Sequence, residues 1–167
     1  MAAIPVRRLN HAVLFVSDVQ RSKEFWLAAF DMEVATEVPQ SNAVFLRLRG
    51  QENHHDLGLF GLGAGVEKAP GAGIGLYHLA WQVDTIDDLV KARETLLELG
   101  ALVGESSHGA TKSLYAKDPD GNEFEVMWMI PRAEWGEFAN AAIVERLDLA
   151  ADLSRWSGVR TADEISG

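Results

Sequence analysis

The sequence contains no cysteine among its 167 residues, which excludes disulfide bonds, thiolate metal ligands and cysteine nucleophiles. It is also short of positive charge: 15 lysine and arginine residues against 25 aspartate and glutamate residues give a net charge of −10 at pH 7. An acidic surface repels phosphate groups, so nucleic acid and anionic membranes are poor candidate partners. No apolar run approaches the roughly eighteen residues of a membrane span, and the N-terminus does not resemble a signal peptide. We therefore expect a cytoplasmic protein, with chemistry centred on its five histidines.

Two similar stretches lie 67 residues apart, one from Leu9 to Val16 (L-N-H-A-V-L-F-V) and the other from Leu76 to Val83 (L-Y-H-L-A-W-Q-V). Each is typical of a β-strand, with a histidine at its third position: His11 in the first and His78 in the second. A helical pattern follows each stretch, and short strands separated by turn sequences follow the helix. The chain therefore predicts the order β-α-β-β-β twice and an α+β fold.

We place the first module at about 8–62 and the second at about 75–131, within one domain over 1–131. The amphipathic pattern beyond that point predicts a helical C-terminal tail over 132–167. Its apolar stripe is too extensive to face water, so we expect it to pack on the domain or on a second subunit, with a homodimer as the expected assembly. The alternative is that it covers the mouth of a site. The stripe consists of Trp135, Phe138, Ala142, Leu149 and Leu153.

Glu125 lies in the middle of a hydrophobic run, where alternation places Phe124, Val126 and Trp128 on one face and Glu125 on the other. A buried carboxylate is costly unless it meets a cation, so Glu125 needs a metal ion or a basic partner. A single histidine in an apolar strand is more often a hydrogen-bonded core residue than a ligand, but two at equivalent positions favour ligands. Two histidines and one carboxylate form the triad that leaves positions open on Fe(II).

The paired modules, the equivalent histidines and the run D-P-D-G-N-E-F-E from Asp118 to Glu125 resemble the vicinal oxygen chelate superfamily. That superfamily includes glyoxalases, fosfomycin- and bleomycin-resistance proteins and type I extradiol dioxygenases, and the resemblance covers roughly Arg8 to Ile130. It implies paired βαβββ modules whose mixed sheets curl around a metal cavity, with the helices outside. It also implies that the metal ligands are His11, His78 and Glu125.

Three further residues resemble active-site groups of the extradiol enzymes. His55 matches their second-sphere histidine, which acts as acid and base. Tyr115 precedes Glu125 by ten residues, as their active-site tyrosine does, and the alternative for it is an ordinary strand aromatic. His108 is near their further histidine, about two residues short of its usual spacing; the alternative is a solvated loop histidine. The resemblance implies cleavage of a catechol-like aromatic by Fe(II) and O₂, with Mn(II), Ni(II) or Zn(II) as alternative metals.

Asp56 leaves a second interpretation open. Aligning the modules strand by strand pairs Asp56, rather than His55, with Glu125, and without a bulge only one of two neighbouring strand residues enters the cavity. An inward Asp56 completes the four-ligand set of glyoxalase-like lyases and isomerases. An inward His55 leaves the site open for O₂, and the local H-H-D sequence favours it. A third possibility, a drug-binding protein without catalysis, is disfavoured by the presence of the three ligands.

Overall fold

The computed structural model describes residues 3–6, 8–66, 74–141 and 143–161. The chain divides into two compact units, Met1–Ala69 and Pro70–Gly167. Each unit contains a four-stranded mixed sheet, and in each the chain order is strand, helix and three strands. The predicted α+β fold with a duplicated β-α-β-β-β module is therefore confirmed.

In the first unit the strand order is β1-β4-β3-β2, with β1 parallel to β4 and the other neighbours antiparallel. Asp18 caps the first helix, because its carboxylate accepts hydrogen bonds from the backbone N–H groups of Gln20 and Arg21. A short 3-10 turn, Pro39–Ser41, joins β2 to β3. The elements are β1 Ala12–Val16, α1 Val19–Ala29, β2 Met32–Val38, β3 Ala43–Leu48 and β4 Leu57–Gly61.

The second unit repeats this arrangement with the order β5-β8-β7-β6, in which β5 is parallel to β8. Thr85 caps its helix, and Gly100 ends it with a φ of +64°, as the sequence predicts for a glycine at this position. No helix among the described residues is long and apolar enough to cross a membrane. The elements are β5 Leu79–Gln82, α2 Ile86–Glu98, β6 Leu102–Ser107, β7 Thr111–Lys117 and β8 Glu123–Met129.

The C-terminal helix is confirmed, but it is shorter than the periodicity predicts. Only α3, Leu149–Trp156, is α-helical, and two 3-10 turns, Arg132–Glu134 and Gly136–Asn140, precede it. Gly136 interrupts the pattern with a φ of +45°, and α3 starts again from the side-chain cap of Asp148. Four residues of the predicted apolar stripe are half-buried, and the fifth, Ala142, lies outside the described residues; the four are Trp135, Phe138, Leu149 and Leu153.

The α-helices of the second unit lie against one face of its sheet. Phe124 and Trp128 are fully buried on the same face of β8, and α2 packs on that strand. Trp156 of α3 also approaches Trp128, with ring centroids 6.4 Å apart. Alternation places Glu125 on the opposite face of β8. The sheet therefore separates the apolar core from the face that carries the predicted ligand.

The register of the two sheets corrects the alignment of the modules. Val13 pairs with Gly58 in the first unit, and Ala80 pairs with Glu125 in the second, so both partners are displaced by the same 67 residues. The first-unit position equivalent to Glu125 is therefore Gly58. The predicted pairing of Asp56 with Glu125 is therefore wrong by two residues. It matched one carboxylate with another, whereas the equivalent position in β4 is a glycine.

The two predicted ligand histidines lie just before strands and not at their third positions. β1 begins at Ala12 and β5 at Leu79, because the parallel ladder that defines each strand starts there. His11 and His78 each precede their strand by one residue. The two histidines are nevertheless at equivalent positions, because β1–β4 and β5–β8 pair in the same register.

Candidate metal and catalytic site

In the second unit the side chains of His78 and Glu125 meet. Nε2 of His78 lies 3.2 Å from Oε2 of Glu125, and the two side chains are 24% and 12% exposed. A ring nitrogen lone pair and a carboxylate oxygen repel each other at this distance. The contact therefore needs a positive centre, which is either a proton on Nε2 or a metal ion bound by both atoms.

The geometry of this pair fits two ligands of one metal ion. Metal–ligand bonds of about 2.1 Å that meet at a right angle place two donor atoms roughly 3 Å apart. A charge-assisted N–H···O bond is shorter, at about 2.7–2.9 Å. An imidazole nitrogen with a carboxylate oxygen suits Fe(II), Mn(II), Ni(II) or Zn(II). His78 and Glu125 thus fit two positions of the predicted triad.

Tyr115 lies beside this pair on the neighbouring strand. It is the direct cross-strand partner of Glu125 in the β7–β8 ladder, so the two side chains share one face of the sheet. Its ring centroid lies 5.8 Å from that of His78, in an edge-on arrangement. The structure therefore brings three of the predicted site residues together on the face of the sheet opposite Phe124 and Trp128.

His108, which follows β6, reaches the same group through hydrogen bonds. Its Nε2 lies 2.9 Å from the Tyr115 hydroxyl and 2.8 Å from Oγ of Ser106, and its Nδ1 lies 2.8 Å from the backbone oxygen of Ile143. A carbonyl oxygen only accepts, so Nδ1 carries a proton and donates it. In the neutral ring Nε2 then accepts from a hydroxyl. His108 is a bonded, half-buried residue and not a solvated one.

In the first unit His11 and His55 lie side by side, with ring centroids 4.4 Å apart. His11 is exposed, and its Nδ1 lies 2.8 Å from the side-chain oxygen of Asn10. The His55 ring also contacts Phe45 edge-on, at 4.9 Å between centroids. Burial, followed by the nearby positive charges of His11 and His54, lowers the pKa of His55 below that of an ordinary histidine.

A second histidine fixes the orientation of His55. Nδ1 of His54 lies 2.8 Å from Nδ1 of His55, so one of these nitrogens donates to the other. This contact occupies Nδ1 of His55 and leaves Nε2 as its remaining proton acceptor or donor.

Asp56 lies in the loop between β3 and β4, and both of its carboxylate oxygens are hydrogen-bonded there. One carboxylate oxygen accepts a hydrogen bond of 2.7 Å from the backbone N–H of Leu48, and the other accepts one of 2.8 Å from the amide of Asn53. The structure therefore places His55, and not Asp56, beside His11. Asp56 holds the loop from which His55 projects.

We expect Asp56→Ala to lower the free energy of unfolding by about 1–3 kcal/mol, because it removes the acceptor of the half-buried backbone N–H of Leu48 and one of the acceptors of the Asn53 amide. Urea unfolding followed by tryptophan fluorescence measures the change. The control is Glu52→Ala in the same loop, where the residue is exposed and the expected change is within about 0.5 kcal/mol. An equal loss in both variants would contradict a structural role for Asp56.

The predicted triad is divided between the two units, with His11 in the first and His78 and Glu125 in the second. No group of three or more His, Asp or Glu side chains is arranged to hold a metal ion within the described parts of the chain. The assignment of His11 as a ligand therefore rests on its equivalence to His78 and on the family resemblance.

Sequence reasoning missed three contributors to these arrangements: His54, Ser106 and Ile143. His54 is visible in the H-H-D sequence as a neighbour of His55, and Ser106 lies two residues before His108. Ile143 contributes only a backbone oxygen, for which the sequence carries no signal.

Comparison with known proteins gives one family and several relatives. Residues 8–126 match the Glyoxalase/Bleomycin resistance protein/Dioxygenase superfamily. The chain is 33% identical over 128 residues to biphenyl-2,3-diol 1,2-dioxygenase 2 of Rhodococcus globerulus, covering 75% of this chain and 64% of that protein. It is 32% identical over 121 residues to biphenyl-2,3-diol 1,2-dioxygenase 3 of the same organism, covering 71% and 62%. The chain thus spans less than two thirds of the length of these curated relatives.

A solved structure shows the same fold. The crystal structure of a glyoxalase/dioxygenase from Nostoc punctiforme matches with a TM-score of 0.64 at 20% identity, covering 78% of this chain and 97% of that one. At this identity the likeness concerns the fold alone.

Proposed function

Because this chain belongs to the Glyoxalase/Bleomycin resistance protein/Dioxygenase superfamily, we propose that it is an Fe(II)-dependent extradiol dioxygenase that cleaves a catechol-like aromatic with O₂. The two relatives from Rhodococcus globerulus are named as dioxygenases of biphenyl-2,3-diol, which carries two neighbouring hydroxyl groups. A substrate of that kind offers two oxygen atoms to one metal ion.

The observation that carries the proposal, over a glyoxalase-like lyase, is that neither candidate position supplies a fourth ligand. Gly58 occupies the position equivalent to Glu125, and a Cβ there would lie 3.2 Å from the Phe45 ring and 3.4 Å from Val13. Asp56 is bound within its loop by two hydrogen bonds. The proposed ligand set is therefore the triad alone, which suits dioxygen chemistry better than a closed set of four.

The triad consists of His11, His78 and Glu125. Fe(II) held by these residues would supply a Lewis acid that lowers the pKa of the substrate hydroxyls. Nε2 of His78 and Oε2 of Glu125 already face each other at 3.2 Å, so little movement is needed for both to bind one ion.

His55 and Tyr115 act on the substrate in this proposal. His55 takes the proton of a substrate hydroxyl at Nε2, the nitrogen left free by His54, and returns it later in the reaction. The hydroxyl oxygen of Tyr115 hydrogen-bonds a substrate hydroxyl, and His108 positions the Tyr115 hydroxyl through its own 2.9 Å contact.

The proposal is tested by metal analysis of protein purified without oxygen, followed by oxygen uptake with a panel of catechols that includes biphenyl-2,3-diol. We expect about one iron per chain and oxygen uptake with at least one catechol. Zinc or nickel without oxygen uptake would contradict the dioxygenase and favour lyase chemistry. A protein that binds no metal would contradict both enzymes and favour a sequestering function.

A further inference from the structure

We propose that the C-terminal tail is a working part of the site, because the backbone oxygen of Ile143 holds His108 with its proton on Nδ1 and thereby directs the hydrogen bond of Tyr115. The assignment of the tautomer rests on geometry alone. Its importance for turnover rests on the proposed function, in which Tyr115 contacts the substrate. Ile143 lies beyond the family-matched region, residues 8–126, so this contact is an addition to the matched domain.

The tail is fixed next to His108 by backbone pairing. Ser107 and Glu145 exchange two backbone hydrogen bonds of 2.9 Å, which extends the edge of β6 by an isolated bridge. This bridge lies one residue before His108 and two residues after Ile143. The bridge therefore holds the His108 ring next to the backbone carbonyl of Ile143.

An aromatic contact supports the same arrangement. Phe138 packs over the backbone of Gly109, where an added Cβ would lie only 2.4 Å from its ring. Gly109 also has a φ of +76°, which disfavours other residues in this turn. Trp135 secures the start of the tail, because its Nε1 donates to the backbone oxygen of Ile130 at 2.9 Å. The tail thus meets the β6–β7 turn on both sides of His108.

The carbonyl of Ile143 decides the direction of the hydrogen bonds at His108. With the proton on Nδ1, the neutral ring presents one lone pair at Nε2 to the hydroxyls of Tyr115 and Ser106. The other tautomer would leave a lone pair at Nδ1 facing the Ile143 oxygen, 2.8 Å away, which is repulsive. The two hydroxyls share this lone pair, and a Tyr115 hydroxyl that donates to it keeps its oxygen lone pairs available to a substrate hydroxyl.

The test is the tautomer of His108, read from long-range proton–nitrogen NMR of the metal-free full chain labelled with ¹⁵N-histidine. We expect the Nδ1–H form in the unaltered protein. Glu145→Pro removes the N–H that bonds Ser107 and should release the carbonyl contact, so that the Nε2–H form becomes populated. Glu145→Ala keeps the backbone N–H and is the matched control, with the Nδ1–H form expected. Phe138→Ala loosens the tail by a second route and should behave like Glu145→Pro.

Oxygen uptake adds a second readout on the iron-loaded protein. We expect kcat to fall about tenfold in Glu145→Pro, as for the loss of one hydrogen bond, with the iron content unchanged. The Nε2–H form in the unaltered protein would overturn the inference, as would an unchanged tautomer in both Glu145→Pro and Phe138→Ala. If no catechol is consumed but the tautomer changes as expected, the proposed function fails and the assignment of His108 stands.

Discussion

Glu125→Ala is expected to reduce bound iron to background and to abolish oxygen uptake with catechols, while the protein stays folded. The variant removes the carboxylate whose Oε2 lies 3.2 Å from Nε2 of His78, and with it one of the three proposed protein ligands. Iron per chain is measured after anaerobic loading, and circular dichroism checks the fold. His78→Ala and His11→Ala should give the same loss, although His11 lies in the other unit.

The matched control is Glu123→Ala. Glu123 is a residue of the same type, on the same face of the same strand and two positions earlier. It hydrogen-bonds Tyr77 and is not a proposed ligand. We expect Glu123→Ala to keep its iron. Full iron content in Glu125→Ala, or equal loss in both variants, would contradict the assignment of Glu125 as a ligand.

His55→Ala should lower kcat by roughly 10²–10⁴-fold without loss of iron, because a general acid–base group contributes about that much to a rate. The His55 ring lies beside that of His11, at 4.4 Å between centroids, and His55 is not itself a proposed ligand. His55→Gln keeps hydrogen bonding but not proton exchange, so it should restore substrate binding more than the rate. Oxygen uptake and iron content are measured for both variants.

Asp56→Ala is the neighbouring control for this second prediction. Since both Asp56 oxygens are bonded within their loop, the variant should keep its iron and lose only stability. A glyoxalase-like site predicts the reverse. Metal loss in Asp56→Ala, together with normal turnover in His55→Ala, would reject the dioxygenase in favour of the four-ligand enzyme.

The duplicated architecture could be predicted because its signals are local. The repeated strand-like stretches place His11 and His78 at equivalent positions, and Asp18 and Thr85 begin the two helices as side-chain caps. The turn before β8 is equally local, since one carboxylate oxygen of Asp118 accepts hydrogen bonds from the N–H groups of Asp120 and Asn122. Such signals depend on residues a few positions apart, which a sequence displays directly.

Two strands were harder to recognise, and both lie at sheet edges. β2 (M-E-V-A-T-E-V) carries two glutamates and a threonine, and β6 (L-V-G-E-S-S) contains glycine, glutamate and serine, so neither forms a continuous apolar run. Each also carries an irregularity in its pairing, between Val34 and Thr36 in β2 and between Leu102 and Gly104 in β6. A bulge shifts the alternation by one residue and weakens the pattern further.

The orientation of site residues depends on pairing that the sequence does not display. The equivalence of Gly58 and Glu125 follows from the hydrogen-bonded register of distant strands. The hydrogen bond from His108 to Ile143 joins residues 35 positions apart and uses a backbone oxygen common to every residue type. The family resemblance identified side chains by their spacing, but only the folded chain shows which atoms those side chains meet.

The parallel pairing of β5 with β8 would couple the proposed metal binding to the assembly of the second unit. A parallel pair needs a crossover connection, and here it is made by α2 and two further strands. Closing this loop costs entropy before the contacts between β5 and β8 form. A metal ion held by His78 and Glu125 would bind only after this closure, and at a thousandfold excess over its Kd it would stabilise the closed state by about 4 kcal/mol. The thermal midpoint of this protein should therefore rise with the concentration of free iron, so that the ion acts as a folding ligand as well as a reagent.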